Sequence, residues 1–142
     1  MDATAVLQQT FGYQQFRPGQ EEIINHVLAG DNTLAIMPTG GGKSLCYQIP
    51  ALMLPGLTLV ISPLISLMKD QVDAANELGI SAAFINSSLD FLGMLDVLKE
   101  AQAGRLKLLY VAPERFDSPD FMAALQKIKI SLIAVDEAHC IS

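Results

Sequence analysis

The sequence predicts an α/β fold, a parallel sheet with helices on both faces, on the strength of three observations. Short apolar runs rich in β-branched residues alternate with segments of helical period along most of the chain. The short runs are apolar almost without interruption, which is typical of parallel strands buried on both faces. With 142 residues, 51% of them hydrophobic, the chain can bury one core but not two.

The N-terminal region is predicted to hold two helices. The first covers residues 3–10 and ends at or before Gly12, and an aromatic-rich turn follows it. The second covers residues 21–29, because Pro18 suits the start of a helix and Gly30 suits its end.

Strands and helices are predicted to alternate through the rest of the chain. The strands are expected at residues 33–37, 57–62, 82–85, 106–112 and 132–135. The helices between them are expected at residues 44–54, 64–78, 91–103 and 120–127. Ligands of such sheets bind beyond the carboxyl ends of the strands, so the segments after each strand are the candidate sites. These segments are residues 38–44, 62–66, 86–88, 113–115 and 136–139.

The segment after the first predicted strand has the pattern of a triphosphate-binding loop. Three consecutive glycines, residues 40–42, let backbone N–H groups turn towards phosphate oxygens, and the N-terminus of the following helix favours the same anion. Lys43 can reach the β- and γ-phosphates, and the hydroxyl of Ser44 can bind Mg²⁺. The strict pattern has glycine where this chain has Met37, so a glycine-rich turn without a ligand is the alternative. The order of strand, glycines, Lys-Ser and helix favours the nucleotide site.

The last predicted strand leads directly into an acidic pair. Asp136 is expected to bind Mg²⁺, and Glu137 is expected to position or deprotonate the attacking water. Adjacent carboxylates also occur in solvated turns, but a phosphate-binding loop at another strand end favours the catalytic interpretation. His139 is a candidate relay between the hydrolysis site and another element.

The composition excludes capture of a partner by bulk positive charge, because the formal net charge is −6 and there is no Lys/Arg run. No apolar run reaches the roughly 20 residues of a membrane span, and no N-terminal signal pattern is present. Cys46 and Cys140 lie far apart without ligand-spaced histidines, so both are expected to be small buried hydrophobes. We therefore expect a soluble intracellular domain without a membrane partner.

Five ordered blocks of sequence resemble the RecQ DNA helicases of superfamily 2. Two of them are Met-Pro-Thr-Gly-Gly-Gly-Lys-Ser at residues 37–44 and Asp-Glu-Ala-His-Cys-Ile-Ser at residues 136–142. The others are residues 11–20, 62–72 and 110–115. Methionine at position 37 is ordinary in this superfamily, so the absence of glycine there does not count against the nucleotide site.

The resemblance implies an ATP-dependent 3′–5′ DNA helicase that acts in DNA repair and recombination, with ATP and Mg²⁺ as cofactors and single-stranded and duplex DNA as partners. Residues 1–30 would form N-terminal helices with an adenine-recognition segment. Residues 31–142 would form part of a first RecA-like P-loop NTPase domain. The location would be the bacterial cytosol or, in a eukaryote, the nucleus.

The resemblance also assigns nucleotide and catalytic roles. A glutamine amide can accept from adenine N6 and donate to N7, so Gln20 is expected to select ATP, with Tyr13 stacked on the base and Arg17 beside it. Packing in the N-terminal aromatic cluster is the alternative for Tyr13. The remaining nucleotide-binding residues would be Thr39, Gly40, Gly41, Gly42, Lys43 and Ser44. The catalytic residues would be Lys43, Asp136, Glu137 and His139, with Ser44 and Asp136 as metal ligands.

Single-stranded DNA is expected to cross the strand ends, as it does in the family. The matching residues are Ser62, Pro63, Ser66, Lys69, Glu114 and Arg115. A few hydroxyls, backbone N–H groups and cations can hold phosphates in an acidic domain, because net charge is screened beyond about 8 Å in physiological salt. The alternatives are a solvated helix face for Lys69 and, for Arg115, a brace of its own loop with Glu114.

The family pattern continues beyond Ser142 with an aromatic-rich loop, a further strand and a second RecA-like domain, which is the expected partner of this one. That domain would supply arginines worth on the order of 10³–10⁵ in rate, so we expect almost no ATPase activity and no unwinding from the 142 residues alone. In related ATPases the further strand lies between the phosphate-loop strand and the strand that leads to Asp136, so its absence is expected to leave a gap or unpaired edges in mid-sheet.

Three other functions stay open at this point. A DEAD/DEAH-type RNA helicase shares the phosphate loop and the acidic box, although residues 63–71 and the Cys-Ile-Ser after the box favour DNA. A P-loop kinase or transporter ATPase need not carry an adenine-reading block ahead of the loop. A non-catalytic, ATP-gated nucleic-acid-binding module is the third.

Overall fold

A parallel sheet occupies the second half of the chain in the computed structural model, which describes residues 2–30 and 44–135. Its strands are β1 (Leu57–Ile61), β2 (Ala82–Ile85), β3 (Leu108–Val111) and β4 (Ile130–Val135). They lie in the order β2-β3-β1-β4, and each pairing between them is parallel. The predicted α/β fold with a parallel sheet is confirmed, and the strand expected at 33–37 lies outside the described residues.

Helices precede and connect these strands. The first half contains α1 (Ala3–Val6), a π-helical turn at Leu7–Phe11, α2 (Gln20–Leu28) and α3 (Leu45–Met53). The second half contains α4 (Ile65–Glu77), α5 (Phe91–Gln102), a 3₁₀ turn at Pro113–Asp117 and α6 (Pro119–Leu125). The α-helices were predicted with ends that differ by at most two residues, where α1 and the π-helical turn together correspond to the helix expected at residues 3–10. The 3₁₀ turn was not predicted as a helix. Within residues 2–30 and 44–135, no helix has the length and apolar character needed to cross a bilayer.

Two helices of the second half begin at side-chain caps that the sequence supplies. Asp90 accepts a hydrogen bond from the backbone N–H of Gly93 at 2.7 Å, and Ser118 accepts one from Phe121 at 3.3 Å. Each bond satisfies one of the backbone donors left open in the first turn of a helix. The caps therefore fix where α5 and α6 begin after the turns at the sheet edge.

The contacts divide the chain into two compact units, Met1–Pro55 and Gly56–Ser142. In the first unit, α1, the π-helical turn, α2 and α3 share a core that includes the fully buried side chains of Leu7, Ile24 and Ile49. Phe11 and Phe16 from the aromatic-rich turn pack against this core. The division expected near residue 30 stays a prediction.

The core of the second unit is built from the sheet together with α5 and α6. Leu59 of β1, Leu98 of α5 and Phe121 of α6 belong to one buried cluster. The strand residues that point the other way are buried as well; they are Thr58, Val60, Leu108 and Tyr110. Because neighbouring residues of a strand face opposite sides, both faces of β1 and β3 are covered.

β4 lies at one end of the described sheet and is partly open to solvent. Among the described residues its strand partner is β1. Ile133 and Val135 are 58% and 49% exposed. The gap or unpaired edge expected beside the strand that leads to Asp136 stays a prediction.

Gly56 stands where the chain enters β1, and its backbone is approached closely by the segment before β4. Its φ is +85°, and a Cβ atom at this position would lie 2.7 Å from the carbonyl oxygen of Lys129. That oxygen already accepts a hydrogen bond from the N–H of Leu57 at 2.8 Å. A side chain at position 56 therefore requires the backbone to move.

We predict that Gly56→Ala destabilises the protein more than Gly104→Ala. Gly104 has a similar φ of +79° but nothing within 4 Å of an added Cβ, so its substitution is expected to cost about 1–2 kcal/mol from the left-handed backbone alone. Gly56→Ala should cost about 1–3 kcal/mol more, because the Cβ also displaces the Lys129 carbonyl. Urea denaturation of the two variants measures the difference, and equal losses would contradict the steric argument.

Candidate nucleotide and nucleic-acid sites

The structure describes all of residues 11–20, the predicted adenine-recognition segment, and Gln20 is the most constrained of its predicted contacts. Gln20 begins α2, is only 1% exposed, and its Oε1 atom accepts a hydrogen bond from the backbone N–H of Arg17 at 2.8 Å. The bond orients the carboxamide, and a carbonyl oxygen has a second lone pair for another donor. The structure therefore brings two of the three predicted adenine contacts together.

Tyr13 is placed differently from the aromatic residues on either side of it. Phe11 and Phe16 pack against the core of the first unit, whereas the Tyr13 side chain is 55% exposed. The exposed ring favours a surface role over the alternative of packing in the aromatic cluster. Stacking on a base stays a prediction.

Ser44 is the one residue of the predicted phosphate loop that the structure describes. It caps α3 with its backbone carbonyl, which accepts from the N–H of Gln48 at 2.9 Å, and its hydroxyl makes no capping bond to the helix. The other loop residues, Thr39, Gly40, Gly41, Gly42 and Lys43, lie outside the described residues. The same holds for Asp136, Glu137 and His139, which follow the end of β4. Their roles stay predictions.

The four strands end side by side, which creates a common carboxyl edge. Ile61 is in register with Val111 and Val135, and Val111 is in register with Ile85. The turns that follow β1, β2 and β3 therefore start from one row. We call residues 62–64, 86–89 and 112–115 the three-turn edge.

The turn after β1 contains the first predicted DNA contacts. Ser62 is fully buried, and its hydroxyl accepts a hydrogen bond from the N–H of Leu64 at 3.2 Å. Ser62 also donates its own N–H to the carbonyl of Val111, which ties this turn to β3. Pro63 is half-buried, and Ser66 is exposed in the first turn of α4. In this structure Ser62 shapes the turn, while Ser66 presents its hydroxyl to solvent.

Lys69 lies on the exposed face of α4 and is paired within that helix. Its Nζ atom is 2.7 Å from Oδ2 of Asp73, and the two side chains are 73% and 53% exposed. The hydrogen bond and charge of Asp73 raise the pKa of Lys69. An exposed pair of this kind contributes little to stability, so exchange of Asp73 for a phosphate costs little.

Sequence reasoning marked residues 86–88 as a strand end but assigned no role to Asn86. The structure shows this side chain to be 3% exposed and bonded in two directions. Its Oδ1 atom accepts from the N–H and the hydroxyl of Ser88 at 2.8 and 2.5 Å, and its Nδ2 atom lies 3.7 Å from the sulfur of Met68 in α4. A buried carboxamide therefore holds the turn after β2 against α4. A polar residue directly after an apolar strand was the signal in the sequence.

Arg115 lies in the turn after β3 but bonds to the turn after β2. Its Nη2 atom donates to the carbonyl oxygens of Asn86 and Leu89 at 2.5 and 2.9 Å, and its Nη1 atom is 3.7 Å from the sulfur of Met94. The 3₁₀ turn that carries Arg115 is anchored by an edge-to-face contact between Phe116 and Phe121, with 5.4 Å between ring centres. Arg115 is therefore a brace between two turns, and the neighbouring Glu114 is exposed.

The described residues give no sign of a protein-bound metal cluster. Across residues 2–30 and 44–135, no group of three or more His, Cys, Asp and Glu side chains is arranged to hold a metal ion. Cys46 is buried, as predicted, and burial raises the pKa of its thiol. Cys140 lies outside the described residues.

Comparison with known proteins relates these features to helicases. The family model described as DEAD/DEAH box helicase matches residues 17–142. The chain is 56% identical to "ATP-dependent DNA helicase RecQ" of Bacillus subtilis and to the protein of that name from Haemophilus influenzae, over 141 and 140 residues. It is 48% identical over 144 residues to "ATP-dependent DNA helicase Q1" of Pongo abelii. These alignments cover 99%, 99% and 96% of this chain, but 24%, 23% and 22% of the relatives. The chain thus spans about a quarter of the length of the curated relatives it matches.

We predict that Asn86→Ala destabilises the protein by about 1–3 kcal/mol, because it removes a buried, hydrogen-bonded carboxamide. Ser87→Ala is the matched control: Ser87 is the next residue in the same turn and is exposed, so its loss should change stability by less than about 0.5 kcal/mol. Urea denaturation compares the two variants. A loss after Ser87→Ala as large as that after Asn86→Ala would contradict the role of Asn86.

Proposed function

Because this chain belongs to the DEAD/DEAH box helicase family, we propose that it supplies the nucleotide-binding half of an ATP-dependent DNA helicase. The observation that carries the proposal is 56% identity, across 99% of the chain, to proteins named "ATP-dependent DNA helicase RecQ". The row of strand ends gives such an enzyme a surface for a nucleic-acid strand. Movement in the 3′–5′ direction and a role in DNA repair and recombination belong to the same proposal.

ATP and Mg²⁺ are the proposed ligands of the loop and the acidic box. Lys43 would neutralise the β- and γ-phosphates, and Ser44 and Asp136 would hold the metal. The donor set fits, because Mg²⁺ prefers oxygen ligands and the Ser44 hydroxyl is not used to cap its helix. The metal would neutralise charge on the phosphates. Glu137 would orient and deprotonate the attacking water. His139 would connect the hydrolysis site to another element of the protein.

Single-stranded and duplex DNA are the proposed partners of the three-turn edge. Ser66 and Lys69 are exposed at the start of α4, where they can meet phosphates, and Pro63 and Glu114 border the same edge. A second RecA-like domain of the intact protein would provide the opposite wall and the arginines that complete hydrolysis. We place the enzyme in the bacterial cytosol or, in a eukaryote, in the nucleus.

We predict that Glu137→Gln in the intact protein leaves ATP binding unchanged and lowers DNA-stimulated turnover by about 10²–10⁴-fold, because the variant lacks a base for the attacking water. Binding of a fluorescent ATP analogue and steady-state hydrolysis measure the two quantities. Unchanged turnover would refute the role of Glu137. Unwinding of a 3′-tailed RNA duplex in preference to a DNA duplex by the unaltered protein would instead support an RNA helicase.

We predict that Gln20→Ala and Gln20→Glu both reduce the preference for ATP over GTP by about tenfold or more, because both remove the donor to adenine N7. The two variants separate base reading from loop structure. Glutamate keeps an acceptor for the N–H of Arg17, whereas alanine does not. Turnover of ATP and GTP by the intact protein measures the preference. Loss in the alanine variant alone would show that Gln20 acts through its loop, and preserved selectivity in both would refute the role.

A further inference from the structure

Arg115 is the cation of the three-turn edge whose surroundings are best defined. Its Nη2 atom carries two N–H groups, and the structure supplies two acceptors for them, the carbonyls of Asn86 and Leu89. The side chain is half-buried, and its Nη1 atom lies against the sulfur of the buried Met94. A phosphate would have to compete with two short, charge-assisted bonds for these donors.

The bonds of Arg115 join two neighbouring turns at the carboxyl edge of the sheet. The strand order places β3 between β2 and β1, so Arg115 belongs to the middle turn of the three-turn edge and reaches the outer one. The outer turn exposes Ser87 and Ser88, and Asn86 fastens it from the other side to α4. Without Arg115, the chain from Asn86 to Leu89 would lose its attachment to the middle turn.

We propose that Arg115 is a positioning residue, which affects DNA binding by holding the Asn86–Leu89 turn in place rather than by contacting a phosphate. The proposal rests on the proposed function, because it concerns the same DNA surface. It assigns the phosphate contact to Lys69, whose exposed ammonium group is paired with Asp73, which is also exposed. The guanidinium fork is needed for the brace, since its Nη2 atom bonds the two carbonyls while its Nη1 atom lies against the Met94 sulfur. A lysine ammonium lies one bond closer to the backbone and has no second nitrogen for the sulfur.

The salt dependence of DNA binding distinguishes a residue that contacts a phosphate from one that positions a turn. Each cation that neutralises a phosphate of single-stranded DNA contributes about 0.7 to the slope of log K against log salt. A cation that only positions a turn contributes nothing to that slope, although its loss weakens binding at each salt concentration. The conservative substitution adds a second criterion, because Arg115→Lys keeps the charge and removes the fork.

The test uses the intact protein with Arg115→Lys, Arg115→Gln and, as the control, Lys69→Gln. Amide hydrogen exchange without DNA follows residues 86–94, and a single-stranded oligonucleotide is titrated at roughly 50–200 mM salt. Both Arg115 variants should exchange faster in this segment and bind more weakly by a similar factor, on the order of two- to thirtyfold, with the slope unchanged. Lys69→Gln should lower the magnitude of the slope by about 0.7 and leave exchange at 86–94 unchanged.

Two results would overturn the proposal. One is wild-type affinity in Arg115→Lys together with a slope reduced by about 0.7 in Arg115→Gln, which would make Arg115 a direct phosphate contact. The other is unchanged exchange at residues 86–94 in both Arg115 variants of a protein that binds DNA. Failure of the unaltered protein to bind the oligonucleotide would overturn the proposed function, and faster exchange in the variants would then still show the brace itself.

Discussion

Parallel pairing in register is the constraint on which the carboxyl edge depends. Ile61, Ile85 and Val111 end their strands in one row, and the hydrogen bonds between turns require this alignment. A slip of one residue would move a turn by about 3.3 Å and reverse the face of each side chain in the strand. Arg115 could not then reach the carbonyl of Asn86. Burial on both faces of β1 and β3 therefore protects the geometry of the edge as well as the core.

Lys69 and Arg115 show two ways in which a chain with a net charge of −6 can use a single cation near the carboxyl edge of its sheet. Lys69 is exposed to solvent and so is its partner Asp73, which a phosphate can therefore replace at little cost. Arg115 is half-buried, and its partners are backbone carbonyls, which do not titrate and are part of the folded main chain. In the proposed roles, the same formal charge serves contact in one case and rigidity in the other. Burial and partner type, and not charge alone, separate the two uses.

Much of the fold follows from the sequence alone, and the candidate site follows in part. Unbroken apolar runs predict parallel strands, and the strand ends locate the edge without a structure. Pairings between turns depend on which strands become neighbours, which periodicity does not encode. For this reason Asn86 received no role. Arg115 was expected to contact DNA, with a brace of its own loop with Glu114 as the alternative, and its bonds to the turn after β2 were not predicted. The burial of Ser62 was missed for a similar reason: a hydroxyl after a strand can face the ligand or its own turn.

Within residues 2–30 and 44–135, β4 lies at the edge of the sheet, which has a consequence for the behaviour of the polypeptide in solution. Ile-Ser-Leu-Ile-Ala-Val is a six-residue segment of high β-propensity without a charge or a proline, and a segment of this kind at a sheet edge is a template for a strand from another molecule. The sequence places Lys129 directly before this segment and Asp136 and Glu137 directly after it. Charges at both ends oppose the stacking of identical segments in register. The residues that flank β4 thus act as gatekeepers against self-association, in addition to any part that the two acids take in chemistry.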